Sequence, residues 1–318
     1  MISKKVIVGI DTSNYTTSLA ILRLDGQLIA NLKRPLTVKS GERGLRQSDA
    51  LFLHTINIPE LMHEVKGILE GTIPVAIGVS SRPRNVDGSY MPCFLAGVSA
   101  AEAISAISDI PLYKFSHQCG HIMSAVYSSG RFDLLDSEFA AFHISGGTTE
   151  LVRVHADSVG FCSELFGGTA DLNAGQVIDR IGVLMDLPFP AGPHIEKLAL
   201  ENSNKIPKKA ISNNGLRVNL SGLENLASKL YLETNDKRLV SAFVLDFIGR
   251  SIIAMSEAYE DKFGNTTFLY AGGVMCNSII RNMLSQRFDA VYAEPALSSD
   301  NAVGIAELAR RAYIAERK

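Results

Sequence analysis

The sequence predicts an α/β fold made of two lobes, each with its own β-sheet. The chain has 318 residues, which suits two domains of about 150 residues better than one small core. Apolar β-branched runs, such as residues 6–10 and 139–144, alternate with segments that carry apolar residues at helical spacing, such as residues 48–70. A strand, a turn of small and hydroxyl residues and a second strand occur at residues 6–24 and again at residues 139–155. This alternation and this repeat indicate two related sheets.

The repeat is typical of the actin-like ATPase (ASKHA) fold, in which duplicated ribonuclease H-like sheets form two lobes around a cleft for a nucleotide and a metal. We therefore predict an N-terminal lobe over residues 1–115 and a C-terminal lobe with the nucleotide contacts over residues 116–299. Residues 300–318 are predicted to form a terminal helix that packs back across the cleft. We expect the helix over residues 48–70 to be broken near Pro59, because proline removes a helical hydrogen bond.

Composition and charge exclude several classes of protein. Hydrophobic residues make up 46% and charged residues 20% of the chain, as in ordinary globular proteins. No run approaches about 18 apolar residues, and the apolar start leads into Asp11 without a cleavage site, so we expect a cytoplasmic protein without a membrane partner. A net charge of −2 means that a nucleic-acid partner would need a local basic patch. No CxxC pair occurs, which argues against a disulfide framework or a cysteine-rich zinc site.

A pair of histidines is the first candidate for a metal site. His117 and His121 are four residues apart in a predicted helix, so both rings project from one face and can share one ion. The intervening Gln-Cys-Gly lacks the glutamate that zinc peptidases use as a base, which disfavours a peptidase. Asp300, expected to open the last helix, is the candidate for the third ligand. The alternative is two ordinary histidines and a helix N-cap at Asp300 or Ser299.

Glycine-rich turns and one acid on an apolar helix are candidates for binding a nucleotide. A Ser-Gly-Gly turn ends the strand that contains His143, and its backbone N–H groups can hold a phosphate, although a plain β-turn is an equal alternative. Gly272 and Gly273 lie between a strand and a helix that begins near Asn277, where the backbone can approach an adenine or a ribose. Asp179 lies on an apolar helix and can bond ribose hydroxyls, unless it belongs to a solvated face with its neighbour.

The order of these motifs resembles that of the tRNA threonylcarbamoyladenosine synthase family, TsaD, formerly labelled O-sialoglycoprotein endopeptidase. The resemblance runs from about residue 6 to about residue 310. It rests on eight motifs in order, which are an Asp-Thr-Ser turn, the HxxxH pair, Ser-Gly-Gly-Thr-Thr-Glu-Leu, the Asp-bearing helix, Phe-Pro-Ala-Gly-Pro, Asn-Leu-Ser-Gly-Leu, Ala-Gly-Gly-Val-x-x-Asn and Ser-Asp-Asn-Ala.

The resemblance implies an activity and a set of site residues. Members transfer a threonylcarbamoyl group from threonylcarbamoyl-AMP to the N6 amine of the tRNA adenosine beside the anticodon. By this resemblance His117, His121 and Asp300 hold iron or zinc, and Asp11 and Ser13 in the first turn are the catalytic candidates. The candidates for binding the substrate or an adenine nucleotide (threonylcarbamoyl-AMP, AMP, ADP or ATP) are His143, Ile144, Ser145, Gly146, Gly147, Asp179, Gly192, Gly272, Gly273 and Asn277. Expected partners are tRNA and TsaB-like and TsaE-like proteins.

Three segments depart from the family pattern, and they leave the acceptor open. Tyr15 and Thr16 stand where the family has acids, and Thr148 stands where it has a histidine. The segment from Arg82 to Pro92 replaces a shorter Gly/Pro loop. The alternatives are therefore a carbamoyltransferase acting on a small molecule or protein, and a nucleotide-binding scaffold of a tRNA-modification complex.

Scattered basic residues are the candidates for contacts with tRNA phosphates. An ordinary solvated surface is the alternative for all of them. They are Lys33, Arg34, Arg43, Arg46, Lys205, Lys208 and Lys209.

Overall fold

The computed structural model describes residues 4–13, 15–37, 45–156, 161–211 and 213–317. The chain forms two compact units. The first unit comprises Met1–Ser137, His155–Ser163 and Ser299–Lys318, and the second comprises Glu138–Val154 and Glu164–Ser298. The first unit therefore runs past the boundary expected at residue 115. It takes in both the helix that begins at His117 and the C-terminal helix, because these two helices pack on each other.

The first unit contains a five-stranded sheet. Its strands are β1 (Lys5–Thr12), β2 (Thr16–Arg23), β3 (Leu28–Pro35), β4 (Ile73–Arg82) and β5 (Leu112–Ser116). They lie in the order β3-β2-β1-β4-β5, with β1 antiparallel to β2 and parallel to β4. The β2–β3 hairpin turns at Gly26, whose φ of 96° favours glycine, as the Asp-Gly pair predicts. Valine, isoleucine and leucine side chains of β1 and β2 are fully buried and form the core beneath the helices.

Three helices follow these strands in the first unit. They are α1 (Gln47–Ile68), α2 (Phe94–Ser108) and α3 (His117–Ser129). The predicted break in α1 is wrong, because the helix continues through Pro59. Pro59 lies on the exposed side of α1, where water can satisfy the carbonyl group that loses its helical partner.

The second unit contains a seven-stranded sheet. Its strands are β6 (Phe139–Ile144), β7 (Thr149–Ala156), β8 (Phe161–Thr169), β9 (Asn213–Asn214), β10 (Arg217–Val218), β11 (Thr267–Ala271) and β12 (Asp289–Tyr292). They lie in the order β12-β11-β6-β7-β8-β10-β9. The five strands β8-β7-β6-β11-β12 of this sheet occupy the same places as β3-β2-β1-β4-β5 of the first sheet. The sheet duplication predicted from the sequence is therefore present.

The described residues of the second unit form six α-helices. They are α4 (Ala174–Leu184), α5 (Gly192–Leu200), α6 (Ser221–Thr234), α7 (Lys237–Phe263), α8 (Ser278–Ser285) and α9 (Pro295–Ser298). Among the described residues, α7 alone is long and apolar enough to cross a membrane, whereas the prediction was that no run approaches this length. However, 83% of its apolar window is buried inside the structure, as expected of a core helix.

The last helix, α10 (Val303–Ala315), belongs to the first unit and packs on β1, β4 and α3. Asp300 does not open this helix, contrary to the prediction. The helix begins at Val303, whose backbone N–H donates to Asn301 Oδ1 at 2.9 Å. The side chain of Asn301 thus accepts from the first backbone N–H of α10. The carboxylate of Asp300 does not cap the helix.

Candidate functional site

The first unit brings the three predicted metal ligands together. Ser116 caps α3 by accepting a hydrogen bond from Cys119 N at 3.2 Å, which fixes His117 as the first residue of the helix. One turn later, His121 Nε2 lies 3.0 Å from His117 Nε2. Asp300 Oδ1 is 3.2 Å from His121 Nε2 and 3.7 Å from His117 Nε2.

These three donor atoms fit a small divalent ion. A circle through them has a radius of about 1.9 Å, close to the roughly 2.0–2.2 Å of zinc–nitrogen and zinc–oxygen bonds. Two imidazoles and one carboxylate also suit zinc or ferrous iron by chemistry. A possible metal site is therefore present in this unit.

The two predicted catalytic residues contact the ligands. Asp11 Oδ1 lies 2.8 Å from His117 Nδ1, so a proton on Nδ1 donates to the carboxylate and leaves Nε2 facing the other ligands. Ser13 Oγ donates to Asp300 Oδ2 at 2.9 Å. Asp11 is fully buried, and its Oδ2 has no hydrogen-bond partner among the described residues. A second carboxylate charge thus lies beside the site, which favours a cation there.

The charges of the site are tightly linked. Burial opposes protonation of His117, but the charge and hydrogen bond of Asp11 and the charge of Asp300 outweigh burial and raise the pKa of His117 to about 9. Burial and the charge of His117 lower the pKa of His121. Burial alone would raise the pKa of Asp300, but the two histidines hold it well below its usual range. A metal ion that binds here must therefore displace a proton from His117.

Two glycines set the spacing of the helices that carry the ligands. Gly120 on α3 lies against Gly304 on α10, and a Cβ at Gly304 would collide with the carbonyl oxygen of Gly120. Ser124 Oγ accepts from Gly304 N at 2.9 Å and donates to Asn301 Oδ1 at 2.9 Å. The side chain of Asn301, the residue after Asp300, is thereby tied to the helix of the two histidines.

The Ser-Gly-Gly turn of the second unit is held by its own backbone. Ser145 N donates to Thr148 O at 2.7 Å, and Gly175 N at the start of α4 donates to Ser145 O at 3.2 Å. A Cβ at Gly175 would come within 2.6 Å of Gly146 N, whereas Gly146 and Gly147 themselves border open space. The turn thus presents accessible glycine backbone, which is the arrangement that can hold a phosphate.

The second glycine pair lies beside the same turn. β11 pairs with β6 in parallel, with Ala271 opposite His143. Gly272 has a φ of 98°, and a side chain there would collide with the carbonyl oxygen of Ile144. Gly273 borders open space. Ile144 has no exposed surface, and its contact with a ligand stays a prediction.

The remaining nucleotide candidates have partners within the second unit. Asp179 Oδ1 accepts from Ala191 N at 3.0 Å, next to Gly192 at the start of α5, and burial raises the pKa of Asp179. Asn277 Oδ1 caps α8 by accepting from Ile280 N at 3.1 Å. These bonds position the two helices, and the contacts of Asp179, Gly192 and Asn277 with a nucleotide stay predictions.

The basic candidates that the structure describes differ in their surroundings. Arg34 pairs with two glutamates of α1, and Lys33 Nζ donates to Ser299 Oγ at 3.1 Å, with Asp300 nearby. Arg46 is exposed, and Arg43 lies outside the described residues. In the second unit the three lysines of the loop after α5, Lys205, Lys208 and Lys209, are exposed.

Two of the three departing segments lie at the surface of the first unit, whereas Thr148 lies in the Ser-Gly-Gly turn of the second. Tyr15 is 40% exposed, directly after the turn that contains Ser13. The loop over residues 83–92 follows β4, and the carbonyl of Pro83 accepts from Gln118 N at 3.0 Å. This loop therefore lies beside the first turn of α3, next to His117.

Comparison with known proteins identifies the family. Residues 75–307 match the family model described as TsaD, tRNA N6-adenosine threonylcarbamoyltransferase. The chain belongs to this family. It is 28% identical over 329 residues to the tRNA N6-adenosine threonylcarbamoyltransferase of Streptococcus suis, in an alignment that covers 98% of this chain and 94% of the relative. Membership of the TsaD family confirms the resemblance found in the motifs and the prediction of a transferase.

Two solved structures share the fold of this TsaD family member. Full-length HypF in its phosphate- and nucleotide-bound form aligns with a TM-score of 0.60 and 12% identity, covering 99% of this chain and 56% of HypF. Component A of the (R)-2-hydroxyglutaryl-CoA dehydratase of Acidaminococcus fermentans aligns with a TM-score of 0.56 and 13% identity, covering 98% and 99% of the two chains. Identities this low concern the fold alone, and they confirm the predicted actin-like ATPase fold.

Proposed function

We propose that this chain is a metal-dependent transferase that moves a threonylcarbamoyl group from threonylcarbamoyl-AMP to the N6 amine of a tRNA adenosine next to the anticodon. The observation that carries the proposal is the triangle of His117, His121 and Asp300 in a member of the TsaD family. The relatives named tRNA N6-adenosine threonylcarbamoyltransferase support the substrate. A cytoplasmic location and TsaB-like and TsaE-like partners are part of the same proposal.

The three ligands would hold iron or zinc in this scheme. Such an ion would supply Lewis acidity toward the bound donor. Asp11 keeps His117 in the tautomer whose Nε2 is directed to the other ligands, and Ser13 orients Asp300. The chain's contribution at this site is therefore to position and to neutralise charge.

The glycine turns of the second unit would bind the adenylate. The backbone N–H of Gly146 can donate to the phosphate, and the N–H of Gly147 can do so by giving up its 3.3 Å bond to Ser145 Oγ. Gly272 and Gly273 would lie along the adenine or ribose, since glycine lets a flat ligand approach the backbone. As the acceptor amine attacks the carbamoyl carbon, the bond between that carbon and the phosphate oxygen breaks. AMP leaves with that electron pair, and the amine gives up one proton, which the leaving phosphate or water can accept.

A different acceptor is the second candidate. Exposed Tyr15 and the loop over residues 83–92 lie beside the proposed metal site, where the family pattern has acids and a shorter loop. This arrangement favours a changed acceptor over a changed donor. The acceptor amine would then belong to a small molecule or a protein.

The decisive experiment supplies purified protein with zinc or ferrous iron, threonylcarbamoyl-AMP, tRNA and the TsaB-like and TsaE-like proteins of the same organism. We expect the modified nucleoside by mass spectrometry after digestion of the tRNA. His121→Ala should abolish the product, whereas His63→Ala, which changes an exposed histidine of α1, should not. AMP release without modified tRNA would overturn tRNA as the acceptor and favour the second candidate. No AMP release from the metal-loaded wild type would overturn the transferase itself.

A further inference from the structure

A third histidine lies behind the metal site without touching the ligands. His54, on α1, has no exposed surface. Its Nε2 lies 2.7 Å from the carbonyl oxygen of Ser13, and its Nδ1 lies 2.8 Å from Thr17 Oγ1. Both ring nitrogens therefore have a partner in a buried environment, where an unsatisfied polar atom would be destabilising.

The partners of His54 define where each proton lies. The carbonyl of Ser13 can only accept, so Nε2 carries the proton and Nδ1 is the acceptor. Thr17 must then donate its hydroxyl proton to Nδ1, and its oxygen accepts from Asn57 Nδ2 at 3.1 Å. Burial lowers the pKa of His54, against the opposing effects of Ser13 and Asp11, which agrees with a neutral ring. Every hydrogen bond from Asn57 through Thr17 and His54 to Ser13 therefore joins a donor to an acceptor.

Ser13 joins this chain to the metal site. Its backbone carbonyl accepts from His54, while its hydroxyl donates to Asp300 Oδ2 at 2.9 Å. The residue is 2% exposed, so water has little access to either bond. A hydroxyl can orient a carboxylate only if its own backbone is fixed, and His54 provides that fixed point from α1.

We propose that His54 is a positioning residue for Asp300, acting through Ser13, and that Thr17 and Asn57 hold its ring in the required tautomer. This inference rests on the metal centre of the proposed function and adds residues to it. An ordinary core histidine would stabilise the unit without affecting the metal. The two roles differ in their effect on metal affinity.

The experiment measures the Kd for Zn²⁺ of chelator-treated full-length protein with a competing chromophoric chelator. We expect His54→Leu to weaken binding about 10-fold or more, in the range found for outer partners of metal ligands. His54→Gln retains a donor for Ser13 O and should stay within about 3-fold of the wild type. His63→Leu, on the exposed face of the same helix, is the matched control and should bind as the wild type does.

A double-mutant cycle separates positioning from general destabilisation. If His54 acts through Ser13, His54→Leu adds little to the loss caused by Ser13→Ala, because both changes break one path. Additive losses, or unchanged Zn²⁺ affinity in folded His54→Leu, would overturn the proposal. Should His54→Leu not fold, Thr17→Val breaks the same chain of bonds, and wild-type affinity in that variant overturns the proposal equally. None of these readouts uses the transferase reaction, so failure of the proposed activity remains a separate result.

Discussion

The two units prepare their candidate sites by different means. The first unit uses side chains, since two imidazoles and a carboxylate converge, and neighbouring side chains orient two of these three ligands. The second unit uses backbone, since glycines at the ends of β6 and β11 leave space beside exposed peptide groups. A side-chain site depends on charge and protonation, whereas a backbone site depends on conformation and excluded volume. The two sites should therefore fail in different ways.

The largest effect should come from removing a metal ligand in the first unit. His121→Ala takes one of three donor atoms out of the triangle, so Zn²⁺ affinity should fall by more than about 100-fold, beyond the effect expected for an outer partner. Elemental analysis after dialysis checks this, with His63→Ala as the control on an exposed helix face. Equal metal content in wild type and His121→Ala would show that the ion binds elsewhere.

In the second unit, adding a methyl group at Gly272 should mainly lower the stability of the fold. Gly272→Ala places a methyl group against the carbonyl of Ile144 at a positive φ, so unfolding should become about 2–4 kcal/mol easier. Gly273→Ala, one residue on and bordering open space, should change stability by less than about 1 kcal/mol. Urea unfolding followed by circular dichroism compares the pair. Similar midpoints for both variants would contradict the close approach of β6 and residue 272.

Binding of Zn²⁺ by the first unit should depend on pH. The pKa of His117 is raised to about 9, so below that pH a metal ion must displace its proton. The affinity for Zn²⁺ should therefore rise about tenfold per pH unit between roughly pH 7 and 9 and level off above that. Calorimetry in buffers of different ionisation enthalpy measures the released proton directly. Asp11→Asn removes the charge that raises the pKa, and its profile should level off at lower pH.

The smallest expected effect concerns ligand binding by the Ser-Gly-Gly turn. Gly147→Ala adds a methyl group in open space, so the fold should tolerate it while AMP affinity falls about 3- to 10-fold, or about 1 kcal/mol. Gly222→Ala on α6 also borders open space and should leave AMP binding unchanged. Titration calorimetry with both variants provides the comparison. Unchanged AMP affinity in Gly147→Ala would place the phosphate away from this turn.

The sequence was most informative where chemistry and helical spacing coincide. His117 and His121 could be paired because two ligand-type residues four apart must share a helix face. Asp300 was also recognised, although its expected place at the start of α10 is wrong, because Asn301 serves that end of the helix. The duplicated sheets could be predicted since both repeats combine a strand, a small-residue turn and a strand.

Contacts between distant parts of the chain could not be predicted in this way. His54 lies 41 residues from Ser13, on a helix expected to break at Pro59, and no local pattern connects the two. The hydrogen bond between Asp179 and Ala191 could not be predicted either, because a carboxylate on an apolar helix can accept from a ribose hydroxyl as well as from a backbone amide. Such partners depend on tertiary packing, which residue spacing alone does not encode.

The contact between Gly120 and Gly304 has a consequence for which ions the first unit can select. Two peptide backbones in contact cannot adjust by changing rotamers, so the separation of α3 and α10 is fixed. The triangle of donor atoms is thereby held near a size that permits bonds of about 2 Å. Calcium prefers six or more oxygen ligands, whereas this site offers two imidazole nitrogens and one carboxylate. The donor set thus disfavours calcium, and the contact between the two glycines keeps that donor set together.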